Sequence, residues 1–361
     1  MAAQQLPDDF RCPISLEIMT DPVILSSGHT FDRSSIQQWL DSGHRTCPIT
    51  KLPLPQHPSL IPNHALRSLI SNFAFSSLPT KPQLTQQVYP HAFVSTLTCP
   101  SSDSLSRLVR LSKRDPASRR RLSESGTVSV VLRCIDSDDP IMQEKALSLV
   151  LNLSLDDDNK VGLVAEGAIG KIVAALRGNY ASCRALAATI ITSLAVVEVN
   201  KATIGSYPFA IESLISLLRD GNDRERKEAA TAMFAICSFS DNRKRAASNG
   251  AVPILLRIAG SGLDRAVEVL GLLAKCREGR EAMERFNGAV RILACVLRTG
   301  ESKGVQYALL TLSTLCSYSE RMCTEVRKEG VLKDCVRLVE DENEKIRRNA
   351  SSLIQVLERD C

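Results

Sequence analysis

Gly167-Ala168-Ile169-Gly170-Lys171-Ile172-Val173-Ala174-Ala175-Leu176 is the stretch on which the fold turns. Ile169, Ile172, Val173 and Leu176 follow the i, i+3, i+4, i+7 spacing of one helix face. Gly167 stands where a sharp turn into that helix would strain any residue with a Cβ. Upstream, Asn159 to Glu166 reads as a short helix. Downstream, a helix starting near Cys183 carries Leu186, Ile190, Leu194 and Val197. The expected unit is therefore three helices, the first one short.

The unit recurs. Gly126-Thr127-Val128, Gly167-Ala168-Ile169, Phe209-Ala210-Ile211, Gly250-Ala251-Val252, Gly288-Ala289-Val290 and Gly330-Val331-Leu332 are spaced 41, 42, 41, 38 and 42 residues apart. A second marker keeps the same period: Ala146, Ala187, Ala229, Ala266, Ala308 and Ala350, at 41, 42, 37, 42 and 42. Both shorten in the same unit. Three helices per roughly 42 residues resemble the armadillo repeat, as do Asn200-Lys201 and Asn242-Arg243-Lys244 at the start of the short helix. Ser104 to Gly126 reads as a partial leading unit, and the last unit as a cap. The resemblance implies a concave interaction surface lined by third helices. Peptide-gripping armadillo proteins carry an asparagine ladder on that helix. Six residues past each marker alanine this chain has Asn152, Ser193, Ala235, Leu272, Thr314 and Val356. Asn152, Ser193 and Thr314 are the candidate groove positions, and importin-like capture of basic peptides is not expected.

The chain has 361 residues, 44% hydrophobic and 24% charged, a composition that can bury a core and excludes disorder. Aromatics at 4% argue against an aromatic nucleic-acid platform. The first 100 residues hold 12 of 16 prolines, all five histidines, the only tryptophan and 2 of 18 glycines. Two different kinds of protein are joined. The first 100 residues are charge-balanced, so the whole excess of +5 lies beyond them. None of the 12 cysteines forms a CxxC pair. Cys134, Cys183, Cys237, Cys276, Cys295 and Cys316 fall in apolar helical runs, where a thiol packs as a small hydrophobe. Met1 to Pro7 lacks the basic and apolar regions of a signal peptide. No apolar run approaches the roughly 18 residues of a membrane span. The expectation is a soluble chain in cytosol and/or nucleus. Arg119-Arg120-Arg121 near Lys113-Arg114 reads as a solvated helix face, and Asp156-Asp157-Asp158 as a turn and helix start.

The N-terminal segment alternates around Val23-Ile24-Leu25 and His29-Thr30-Phe31, joined by Ser26-Ser27-Gly28, which predicts a hairpin. Asp32 is placed to cap a helix from Arg33 to Leu40 that buries Ile36 and Trp39. Pro62-Asn63 opens another, with Leu66, Leu69, Ile70 and Phe73 on one face. The eight ligand positions of a cross-braced RING fall on Cys12 and Ser15, Ser27 and His29, Asp32 and Ser35, Cys47 and Thr50. Only three are Cys or His. A structural zinc site needs four N/S donors, so no metal is expected. Hydrogen bonds and packing must replace it. A thiol nucleophile built from Cys12 or Cys47 with His29 is the weaker explanation of those residues.

Polar residues on a RING spacing followed by armadillo repeats resemble the plant U-box family of E3 ubiquitin ligases. The implied fold is mainly α: a small, zinc-free, RING-like α/β U-box followed by an armadillo-type α-solenoid. The expected domains are a U-box at 6–76, a Ser/Thr/Pro/Gln-rich linker at 77–104 and repeats at 105–361. The resemblance implies docking of a ubiquitin-charged E2 on Ile14, Trp39 and Pro48, with Ile49 beside them, and no covalent ubiquitin intermediate. It implies no cofactor, no nucleic acid and no membrane insertion, and a protein substrate or receptor on the repeats. Lys51 stands where many active members place an arginine that bridges E2 and ubiquitin. An ammonium keeps the charge without the planar fork. The alternative expectation is a non-catalytic armadillo scaffold with a weakened U-box.

Overall fold

The computed structural model describes residues 10–55, 58–63, 66, 67, 70, 101–124 and 126–358. The chain forms two compact units, one ending at Ala168 and the other beginning at Ile169.

The N-terminal fold is a three-stranded antiparallel sheet in the order β2-β1-β3, from β1 (Pro22–Ile24), β2 (Thr30–Asp32) and β3 (Ile61–Pro62), with helix α1 (Arg33–Asp41) after β2. The hairpin is as expected, its strands displaced by one residue. Phe10, Cys12, Met19, Val23, Leu25, Phe31, Ile36, Cys47 and Ile70 form the core. Leu66, Arg67 and Ile70 are helical, while Leu69 and Phe73 lie outside the described residues. So do residues 71–100, which include most of the expected linker. Its last residues are not linker: Ser101 caps α2 (Ser102–Arg114) by accepting from Ser104 N.

Six helix triplets follow: α3 (Pro116–Glu124), α4 (Thr127–Cys134) and α5 (Pro140–Leu153); α6 (Asp157–Ala165), α7 (Ala168–Leu176) and α8 (Ala181–Leu194); α9 (Glu198–Ser206), α10 (Ala210–Asp220) and α11 (Asp223–Cys237); α12 (Ser240–Ser248), α13 (Ala251–Gly260) and α14 (Asp264–Leu273); α15 (Arg277–Arg285), α16 (Ala289–Thr299) and α17 (Ser302–Tyr318); α18 (Glu320–Lys328), α19 (Val331–Leu338) and α20 (Glu344–Glu358). The helix expected to reach Val197 stops at Leu194, because Val197 adopts the extended backbone that starts α9.

Both markers have a physical cause. Gly126, Gly167, Gly250, Gly288 and Gly330 all turn with φ between 71° and 87° into the second helix of their unit. Phe209 does the same at φ 63°, a conformation that costs a residue with a Cβ about 1–2 kcal/mol. All six marker alanines are 0% exposed on third helices, where a longer side chain would overpack the contact. Between units, Asn159, Asn200 and Asn242 are buried, and each donates from Nδ2 to the carbonyl six residues back: Leu153, Leu194 and Ile236. Each thereby adds a second donor to a carbonyl at the end of a third helix, which also accepts from the backbone N–H three residues on at 3.2–3.4 Å.

The shortened unit has lost one helical turn. Ala266 is the third residue of α14, whereas the other marker alanines are seventh in their helices. Side chains of the flanking third helices meet there. Phe234 of α11 and Tyr307 of α17 make an edge-to-face contact, centroids 5.9 Å apart. Arg265 lies over the Phe234 ring at 5.2 Å and pairs with buried Glu268 at 2.6 Å. Gly271 beneath is required by space, since a Cβ would come within 2.6 Å of Tyr307 Cδ1.

Two readings of single residues change. Cys295, expected in the core, is exposed. Arg119 is not part of a solvated face: it is buried, donates to Asp156 at 2.9 Å and to the Ser112 carbonyl at 3.0 Å. Its guanidinium spans a gap between helices that helical periodicity alone does not reveal.

Candidate functional site

Cys12-Pro13-Ile14-Ser15 and Cys47-Pro48-Ile49-Thr50 fold into the same turn. Leu16 N donates to the Cys12 carbonyl (2.8 Å) and Lys51 N to the Cys47 carbonyl (2.9 Å). Cys12 N donates to the Glu17 carbonyl (2.8 Å) and Cys47 N to the Leu52 carbonyl (2.9 Å). Leu16 (φ 60°) and Lys51 (φ 58°) both enter the left-handed region to close these knuckles. Bulky residues seldom adopt it, and such strain collects at functional tips.

The thiols point inward, 0% exposed. Asp32 N donates to Cys12 Sγ at 3.3 Å, and Ser27 Oγ donates to Cys47 Sγ at 3.1 Å. Burial pushes the Cys47 thiol up, but bonds from Ser27 and Thr50 and the Ile49 backbone outweigh it and bring it down to about 7. Burial likewise raises Cys12, and donors from Ser15, Asp32 and Ile14 leave it lowered overall. These are the acceptor environments of ligand sulfurs, filled by protein donors. Among the described residues no group of three or more His, Cys, Asp or Glu side chains is arranged to hold a metal.

Asp32 is the hub of the first knuckle, though not as a helix cap: it precedes α1 without a capping hydrogen bond. Its carboxylate turns the other way. Oδ1 accepts from Thr20 N (2.8 Å), Asp21 N (2.8 Å) and Thr20 Oγ1 (3.2 Å), and Oδ2 accepts from Ser34 Oγ (2.7 Å). Burial raises this acid, but the four donors more than offset it, so its pKa lies below the usual aspartate value. Ser34, not Ser35, completes the hub. Ser35 is half-buried and makes no side-chain hydrogen bond among the described residues. Next to the hub, Asp21 pairs with Arg33 at 2.7 Å and with Arg67, tying the later helix to the first knuckle.

His29 does not approach Cys47. Its Nδ1 donates to the Ser27 carbonyl at 3.1 Å, so a thiol–imidazole pair is not formed. Ser15 and Thr50 accept from Glu17 N and Leu52 N, each at 3.4 Å, within their own knuckles.

The knuckle surfaces are apolar. Ile14 and Pro48 are half-buried, while Ile49 is 44%, Leu52 61% and Leu16 69% exposed. Leu16 and Leu52 were missed in the sequence, where an exposed leucine has no signature. Trp39 is half-buried and held on three sides. Its Nε1 donates to the Thr46 carbonyl at 2.9 Å, His44 stacks on it at 3.9 Å, and Lys51 Nζ stands 5.8 Å from the ring. Pinning a large amphipathic ring before a partner arrives lowers the entropy lost on binding.

In the armadillo-type repeats, Asn152 is not available to a peptide. Its Nδ2 donates to the Val109 carbonyl and to Ser112 Oγ, both at 3.0 Å, joining α5 to α2. Thr314 Oγ1 donates to the Leu310 carbonyl of its own helix at 2.8 Å. Ser193 is half-buried on α8.

Comparison with known proteins agrees with this geometry. A family model described as the U-box domain matches residues 6–77, and one described as the plant U-box protein ARM repeat region matches residues 91–361. U-box domain-containing protein 8 of Arabidopsis thaliana is 61% identical over 367 residues, covering 98% of each chain. U-box domain-containing protein 16 of the same plant is 28% identical over 378 residues, and this chain spans 55% of its length. An engineered protein of known crystal structure superposes with a TM-score of 0.66 at 19% identity, over 74% of this chain and 67% of that one, a likeness of fold.

Proposed function

The chain belongs to the plant U-box family with an armadillo-repeat region, and from that premise we propose that it is an E3 ubiquitin ligase acting by positioning. A ubiquitin-charged E2 docks on Ile14, Pro48 and Ile49, with Leu16 beside them, and Trp39 is the rigid anchor. Lys51, turned outward from the second knuckle next to Trp39, faces the E2–ubiquitin junction. The repeats hold the protein whose lysine accepts ubiquitin. Catalysis then consists of holding thioester and lysine in an attacking geometry.

The observation that carries this reading is the pair of matched knuckles: each buries a hydrogen-bonded thiol and turns apolar residues to solvent. A covalent relay through Cys47 is disfavoured on the same grounds. A thiol brought to about 7 is chemically ready, yet one with no exposed surface meets no thioester. Free thiols in both units suit a reducing compartment, which supports action in cytosol and/or nucleus.

Ubiquitination in vitro with E1, a panel of E2 enzymes, ubiquitin and ATP tests the proposal. The wild type builds chains. Ile14→Ala and Trp39→Ala lose them, because truncating an anchor removes about 2 kcal/mol or more of docking energy, some thirtyfold in E2 affinity. A wild-type protein inactive with every E2 of the panel overturns it.

A further inference from the structure

Residues 101–124 contain seven Lys/Arg and three Asp/Glu, so this short segment holds +4 of the chain's net +5. The segment of equal length at the other end of the array, 335–358, contains four and five, a net −1. A polar outer face is all that solubility asks of a terminal repeat. The C-terminal one meets that need with mixed charge, so the excess at α2 and α3 calls for another cause.

The charge is organised. Leu105, Leu108 and Ser112 are the buried face of α2. Arg107, Arg110 and Arg114 stand at i, i+3 and i+7 on the opposite face, all exposed, with Leu111 between them 43% exposed. Lys113 follows on α2 and Arg120 on α3, both exposed. None of these five cations has a side-chain ion pair or hydrogen bond among the described residues, in contrast to Arg119. Asp103 is the acidic residue on the same face of α2.

We propose that this face of α2 is a docking surface for an anionic lipid bilayer, adsorbing at the headgroups without insertion. The phosphates of a bilayer match the three arginines of this face, whose forked donors bind phosphate oxygens in pairs. A single helix face opposite its own packing side suits a flat partner, whereas an extended peptide needs two walls. Residues 101–124 contain no aromatic on which a base could stack, which disfavours single-stranded nucleic acid.

The test is vesicle co-sedimentation of the full chain, comparing phosphatidylcholine with and without phosphatidylserine, at low and high salt. The wild type sediments with the anionic vesicles alone and is released by salt. Arg107→Gln, Arg110→Gln and Arg114→Gln together lower its partition by roughly a hundredfold, about fivefold per arginine. The corresponding triple Arg→Lys variant retains most binding. Lys345→Gln with Arg348→Gln, on α20, changes nothing. Melting temperatures near wild type confirm folded variants. Equal binding to both vesicles, salt-insensitive binding, or a triple Gln variant that binds like wild type overturns the proposal. So does a stripe that leaves vesicles alone and binds RNA or an acidic peptide.

Discussion

Replacing Asp32 with alanine removes four hydrogen bonds at once, two of them from the backbone N–H groups of Thr20 and Asp21. At about 1 kcal/mol net for each bond the loss is about 4 kcal/mol. Asp32→Asn is milder. Its amide oxygen can still face the two N–H groups, and its NH2 can donate to Ser34 Oγ, so the loss of charge alone costs about 1–2 kcal/mol. The only tryptophan of the chain, Trp39, stands in this domain, so its fluorescence reports the U-box unfolding within the full chain. With a urea slope of about 1 kcal/mol per molar, alanine shifts the midpoint down by about 4 M and asparagine by about 1–2 M. The pH dependence has a fixed sign. The folded pKa of Asp32 is depressed, so its contribution is complete above the unfolded aspartate value of about 4 and is lost as pH falls through the folded one. Asp32→Asn removes that part of the acid sensitivity. A chelator leaves the wild-type midpoint in place. An alanine variant within about 0.5 M of wild type, or an asparagine variant no better than alanine, would refute the assignment of Asp32 as hub.

Asn242→Ala removes the two hydrogen bonds that its fully buried side chain donates to the Lys201 and Ile236 carbonyls, and destabilises the array by about 1–3 kcal/mol on chemical denaturation followed by circular dichroism. An unchanged midpoint would contradict that structural role. Phe209→Gly relieves the left-handed backbone and raises array stability by about 1 kcal/mol, although it removes the stacking of Arg177 on the ring at 4.9 Å; a lower midpoint would mean that the ring contributes more than the strain costs. Lys51→Arg maintains or raises chain formation at equal E2, because the forked guanidinium can bridge two acceptors. A clear fall in rate would show that Lys51 is not at the E2–ubiquitin junction.

The array was legible because its constraints are local and repeated. A turn into the second helix needs glycine and a crowded third helix needs alanine, so each residue recurs once per unit. Long side chains crossing between helices were not legible: Arg119 reaches Asp156 and Asn152 reaches Val109 from positions that resemble solvent-facing ones. In the N-terminal domain the ligand spacing pointed to Cys12, Cys47 and Asp32, and all three are buried and hydrogen-bonded. It misassigned the serine, since Ser34 and Ser35 differ by one step of about 100° around α1 and only Ser34 faces the carboxylate. Leu16 was hidden for another reason. Its exposure follows from the knuckle, a backbone property that no hydrophobic pattern encodes.

In a repeat array each unit ordinarily touches only its neighbours, and such a chain can fray from either end one unit at a time. The Phe234–Tyr307 contact links units that are not adjacent in that sense, over an α14 too short to separate them. A coupling that skips one unit raises the penalty for opening the middle one while its flanks stay closed. The units carrying α11, α14 and α17 should therefore exchange their amide hydrogens as one cooperative block, with fraying from the C-terminus halting at Tyr307.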